Sequence, residues 1–240
     1  MSVPIVFLHG WGQSKQIWQK QREAFPDALY LNLPGHGGAT DSDDWITSIA
    51  SQLPESPSLI VGWSLGGIIA MQLALKHPEK VASLALVAST PSFCLKQGWE
   101  HGCGDEMFNA FRSGIKTSSV KTMSRFFTLM FQGDEITRRE YNGIAHTVID
   151  KVSPPSEAGL KNGLDLLGKI DLRPQLDQII QPTLVMHGDG DAVIPTDAGR
   201  YLSENIPGSN WHLFEQCGHA PFLTQSEIFN KALEAWCHKL

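Results

Sequence analysis

Short apolar runs alternate with helical stretches along the chain, and this alternation constrains the fold more than any other feature. The runs lie at 4–8, 28–33, 58–61, 81–88, 182–187 and 210–214. The first five stop at His9-Gly10, Pro34-Gly35, Gly62, Ser89-Thr90-Pro91 and Gly188. Runs of this length, apolar on both faces, fit strands buried between helices. Helical patterns fill the gaps at 43–53, 65–76, 197–205 and 226–239, the second ending at His77-Pro78. Strands alternating with helices predict an α/β fold with a mostly parallel sheet. In such sheets function gathers beyond the carboxyl ends of the strands.

One segment breaks the rhythm. No strand is evident from 93 to 173, where Met107, Phe108, Phe111 and Met123, Phe126, Phe127, Met130 recur at helical spacing ahead of the breaker Ser153-Pro154-Pro155. The expected organisation is a core of 1–92 and 174–240 with a helical cap, 93–173, inserted between its halves. At 240 residues, 42% hydrophobic and 18% charged, the chain can build a full core without disulfides or metals, which excludes a disordered chain or a coiled coil. A net charge of −6 argues against nucleic-acid binding. The four cysteines include no C-x-x-C pair, so they read as free thiols rather than a zinc or redox site. No apolar stretch approaches the ~18 residues of a membrane span, and the N-terminus lacks a secretory pattern. A cytoplasmic, monomeric protein with neither membrane nor nucleic-acid partner is expected.

The chemistry concentrates at Gly62-Trp63-Ser64-Leu65-Gly66. A strand precedes it and a helix follows, the context in which G-x-S-x-G presents a serine hydroxyl on a strained turn. Glycines two before and two after Ser64 relieve the crowding of that turn. A serine needs a base. His219, in the glycine-preceded loop after the sixth run, is the first choice, and His36 in Pro34-Gly35-His36-Gly37 is the second. His9 reads as a structural hydrogen-bonder. The base needs an orienting carboxylate, and Asp189 and Asp191 both follow the fifth run. Asp191, ahead of Ala-Val-Ile-Pro, is favoured. Oxyanion donors are expected from the N–H groups of Leu65 and of Trp11, the latter in His9-Gly10-Trp11-Gly12.

Taken together, these residues resemble the α/β-hydrolase superfamily, in the chain order Ser64, Asp191, His219. More narrowly, the tryptophans at 11 and 63, Ala88-Ser89-Thr90-Pro91, Asp171-Leu172-Arg173-Pro174 and His219-Ala220-Pro221-Phe222 resemble the BioH carboxylesterases of biotin synthesis. That resemblance implies demethylation of pimeloyl-acyl-carrier-protein methyl ester, no cofactor and no metal. It implies a Ser64, Asp191, His219 triad, oxyanion and substrate contacts at Trp11 and Leu65, and an acyl channel along Phe126, Phe127, Thr128, Leu129 and Met130. Phe222 is expected to share the pocket wall with Trp11, Phe126, Phe127 and Leu129. Such families carry antiparallel edge strands ahead of the first His-Gly strand. Here eight residues precede His9, so those strands are expected to be missing.

The cap carries a charge signal of its own. Between 112 and 139 six basic residues face two acidic ones, a net +4 that leaves −10 on the rest of the chain. A basic cap on an acidic body would steer an acidic partner such as an acyl carrier protein, with Lys121, Arg125, Arg138 and Arg139 as docking candidates. A solvated helix with an apolar underside explains the same pattern. The alternatives are a thioesterase, a menaquinone-pathway lyase on the same scaffold, or a non-catalytic binding protein of that fold.

Overall fold

The computed structural model describes residues 3–149 and 152–239. In chain order the core begins with β1 (Ile5–Leu8), α1 (Gln19–Ala24), β2 (Leu29–Leu31), α2 (Trp45–Ala50), β3 (Ser58–Trp63), α3 (Leu65–Lys76) and β4 (Val81–Val87). The inserted segment contributes α4 (Asp105–Met130), α5 (Arg138–Val148) and α6 (Glu157–Lys169). The core resumes with β5 (Thr183–Gly188), α7 (Thr196–Asn205), β6 (Asn210–Phe214), α8 (Pro221–Thr224) and α9 (Ser226–Cys237).

The six strands form one parallel sheet in the order β2-β1-β3-β4-β5-β6. Among the described residues no antiparallel strand flanks β2. The order reverses between β1 and β3, so the loops after these two strands open side by side, the crevice where such sheets bind ligands. Every residue of β3 is buried, as expected of a central strand covered on both faces. Helix α3 buries nine of its twelve residues, because it lies directly against the sheet centre.

Differences from the sequence reading are local. The run 28–33 contributes only Leu29–Leu31 to the sheet. The pattern at 43–53 yields a helix only over Trp45–Ala50, capped by the Asp44 carboxylate on the Thr47 N–H. Helix α4 is interrupted at Ser118, whose backbone is extended (φ −165°, ψ 98°). The Ser118 hydroxyl oxygen accepts from Lys121 N at 3.4 Å, so the second arm starts as a capped helix. A capping box of Thr137 and Glu140 opens α5, and the Ser156 hydroxyl oxygen caps α6 through Gly159 N.

Candidate active site

Ser64 joins β3 to α3 at φ 55° and ψ −118°, a conformation costly for any residue with a side chain. The turn is held from both sides. Ser64 N donates to Val87 O at 2.9 Å, and Ser64 O accepts from Gly67 N and from the Ser89 hydroxyl, both at 2.9 Å. A side chain on Gly62 would collide with the backbone of Gly66, and one on Gly66 with the carbonyl oxygens of Leu8 and His9. Close backbone approach, within the turn at Gly62 and against the end of β1 at Gly66, therefore demands both glycines. The loop after β1 adjoins Ser64. A Cβ built on Gly10 would stand 3.2 Å from Ser64 Cβ.

The turn after β5 brings a carboxylate to a histidine. Asp191 Oδ2 lies 2.7 Å from His219 Nδ1, both side chains wholly buried. Asp191 Oδ1 accepts from the N–H groups of Val193 at 2.8 Å and Ile194 at 2.9 Å. Burial alone would push this carboxyl up, but His219, His187 and their hydrogen bonds outweigh it and hold it below the usual carboxylate range. The His219 carbonyl accepts from Trp63 Nε1 at 2.8 Å, and the two rings lie 5.3 Å apart. Trp63 thus fixes the histidine from the residue next to Ser64. Among the described residues nothing hydrogen-bonds the buried His219 Nε2.

The competing candidates are accounted for by other bonds. Asp189 Oδ1 accepts from Cys217 N at 3.2 Å, tying the two loops together. His36 is excluded as the base, because both of its ring nitrogens are spent on loop architecture. Its Nδ1 lies 2.8 Å from Pro34 O, and its Nε2 accepts from Gly12 N at 3.1 Å. Burial brings it down to about 4. His9 behaves alike: Nδ1 meets Gly10 O at 2.8 Å, Nε2 accepts from Leu33 N at 3.0 Å, and burial with His36 nearby brings it down to about 3. Two neutral histidines therefore shape the 9–13 loop. Leu65 opens α3, so its N–H has no partner within the helix. Trp11 buries its indole, which donates to Leu160 O at 2.9 Å and meets Phe126 edge-on at 5.1 Å.

His187 was absent from the sequence reading. Its Nε2 lies 3.0 Å from Ile194 O and 3.2 Å from Asp191 Oδ2. The available signal was a polar residue ending an otherwise apolar strand, four positions before Asp191. Hydrogen bonds to charged groups are worth ~1.5–3 kcal/mol. His187→Phe is therefore expected to lower kcat about tenfold or more with little change in KM, read by steady-state ester hydrolysis.

The five cap residues expected to form one channel do not lie along one. Successive helical positions point in different directions. Phe127 lines a cavity of about 570 Å³ together with Gly12, Met123, Tyr141, Pro155 and Leu160. Phe126 packs on Trp11 and Phe111 instead. Thr128 is exposed, 3.1 Å from the Tyr141 hydroxyl. Leu129 faces a second, open depression with Arg125 and Arg138. Met130 is fully buried and offers its carbonyl to His219 N at 2.9 Å. Phe222 is also corrected: it lies beneath the site, packed on Trp18 and Trp63 at 4.2 and 5.1 Å. Lys121, Arg125, Arg138 and Arg139 are all exposed, and among the described residues none of them forms an ion pair.

This serine turn, buried Asp-His pair and parallel sheet are the layout of an α/β hydrolase. The family model for the alpha/beta hydrolase fold matches residues 3–226, and the chain belongs to that family. Among curated relatives, a protein of Nitrosomonas europaea named pimeloyl-[acyl-carrier protein] methyl ester esterase is 37% identical over 96% of this chain and 94% of its own length. A protein of the same name from Aliivibrio salmonicida is 34% identical over 94% of this chain and 88% of its own. Among solved structures, an esterase from Exiguobacterium antarcticum superposes with a TM-score of 0.87 at 25% identity, covering 99% of this chain and 93% of that one. A bromoperoxidase from Bacillus anthracis shares the fold at TM-score 0.83 and 22% identity, covering 100% of this chain and 93% of that one.

Proposed function

We propose that the protein is a serine carboxylesterase that hydrolyses the methyl ester of pimeloyl-acyl carrier protein. The observation that carries the reading is His219, held at Nδ1 by Asp191 at 2.7 Å with Nε2 unpartnered, its carbonyl bonded by Trp63, the residue before a serine on a strained strand-to-helix turn. The curated relatives' name supplies the substrate.

In this mechanism Ser64 Oγ attacks the ester carbonyl while His219 Nε2 takes its proton. Asp191 keeps the proton of the neutral imidazole on Nδ1 and stabilises the imidazolium. The N–H groups of Leu65 and Trp11 receive the developing oxyanion. His219 then protonates the departing methanol. Water, deprotonated by the same nitrogen, hydrolyses the acyl-enzyme and restores the serine.

The largely apolar cavity beside Gly12 and Phe127 is of a size to hold an aliphatic chain. One methylene changes binding by only ~1–3 kcal/mol, so short unrelated esters should also turn over. Arg125 and Arg138 share one depression on the cap, which supports docking of an acidic carrier there. Four free cysteines suit a reducing compartment, which supports a cytoplasmic location.

Reversing charge at Lys121 and Arg125 to glutamate tests the docking. Steering by complementary charge changes association about 10–1,000-fold. The double variant is expected to lose tenfold or more in kcat/KM for the carrier-linked ester and to keep its rate on p-nitrophenyl butyrate. Equal losses on both substrates would remove the docking assignment.

A further inference from the structure

The loop that carries His219 is held from the cap side as well as from the core. The turn ending α4 meets it, and the neighbouring Asp191 loop, at three points. Met130 O accepts from His219 N at 2.9 Å. Gly133 lies so close to Gly190, two residues before Asp191, that a side chain there would strike the Gly190 carbonyl. Asp134 reaches across to α8, where the Thr224 hydroxyl donates to its Oδ1 at 2.8 Å, and its Oδ2 is buried against Gly218. Thr224 is the last residue of the short helix that follows His219, so one carboxylate bonds one end of the segment 218–224 and packs against the other.

We infer that Asp134 is a positioning residue for His219, a clamp through which seating of the cap sets the place of the histidine ring. The inference rests on the reading of Ser64 and His219 as nucleophile and base. Asp134 does not touch the reacting atoms and acts through Thr224 and Gly218. The Met130–His219 bond uses backbone atoms alone, which leaves Asp134, Thr224 and Cys217, whose Sγ lies 3.6 Å from Thr224 Oγ1, as the side chains by which the seam can be loosened. Burial pushes the Asp134 carboxyl up, and the Gly218 backbone, the Thr224 hydroxyl and the Cys217 thiol act against that. A half-buried carboxyl with one oxygen out of solvent, at the junction of cap and core, is a costly choice for packing alone. It becomes intelligible when the loop it holds carries the base, because an error of 1 Å in a reacting group costs about 100-fold in rate.

The test compares Asp134→Ala, Asp134→Asn, Thr224→Val and Thr224→Ser with the parent and with Ser64→Ala, using p-nitrophenyl butyrate kinetics and thermal unfolding. Asp134→Ala and Thr224→Val are expected to lose tenfold or more in kcat with KM within twofold. Asp134→Asn keeps an acceptor for Thr224 and should lose less, and Thr224→Ser should restore the parent kcat. Full kcat in both Asp134→Ala and Thr224→Val would overturn the clamp while loss of activity in Ser64→Ala left the serine mechanism standing. Parallel falls in kcat and Tm, without rescue by Thr224→Ser, would also overturn it. If Asp134→Ala fails to fold, the two Thr224 variants decide alone. Turnover persisting in Ser64→Ala would instead remove the mechanism beneath the inference.

Discussion

Replacing Ser64 with glycine is expected to abolish ester hydrolysis and to raise thermal stability above that of the alanine variant. The two effects share one cause. At φ 55° and ψ −118° the serine occupies a region that side-chain-bearing residues avoid, at a cost of ~1–3 kcal/mol. Alanine keeps that cost and loses only the nucleophile. Glycine removes both, less the ~0.4–1 kcal/mol it returns to the unfolded chain as entropy. For a domain of this size 1 kcal/mol shifts Tm by ~2–4 °C, so Ser64→Gly should melt a few degrees above Ser64→Ala. Both variants should lose at least ~10⁴-fold in kcat, since residual rate from oxyanion binding does not replace a nucleophile. Parallel melting curves and p-nitrophenyl butyrate assays read both effects. Equal melting temperatures would show that the turn is not strained as its dihedrals indicate.

The second large effect is expected at Asp191. In Asp191→Asn the side-chain shape survives, but an amide facing His219 Nδ1 favours the tautomer whose Nε2 carries the proton and cannot accept one. By the logic of a serine triad this lowers kcat by ~10⁴-fold. Stability should change with pH in a definite sense. The Asp191 carboxyl is held below its usual range in the folded state. Its stabilisation is therefore fully present above the unfolded carboxylate value of ~3.9 and is lost as pH falls toward the folded value. The asparagine variant lacks this contribution, so its stability should fall less steeply with acid than the parent's. Urea denaturation at a series of pH values measures the difference. Identical acid dependence in the two proteins would mean that the Asp191–His219 contact contributes no pH-linked stability.

Much of the scaffold could be read from the sequence because five of the six strands are apolar runs with their own stop signals. Five runs ended at a glycine or proline, and the strands fall inside or within two residues of the expected spans. The serine turn was legible because its motif spans five consecutive residues between a strand and a helix, although the structure shows that only Gly62 is demanded within the turn and Gly66 by the end of β1. What escaped was set by contacts distant in sequence. No spacing distinguishes His36 from His219. The difference is that a carbonyl and an amide of nearby loops occupy both nitrogens of His36. The helical spacing of the apolar residues of α4 was legible, but the break at Ser118 and the roll of the second arm decided that Phe127 meets the cavity and Met130 the His219 loop. His187 and Asp134 act across turns and between cap and core, where a single sequence carries no register.

The most direct test of the account is turnover of pimeloyl-acyl carrier protein methyl ester by the parent protein beside Ser64→Ala, with the product identified by the mass of the carrier. The account predicts loss of 14 mass units, one methyl exchanged for a proton, at a kcat/KM above that for p-nitrophenyl butyrate and with no change in the variant. An intact carrier ester in the presence of enzyme that cleaves the small ester would contradict it.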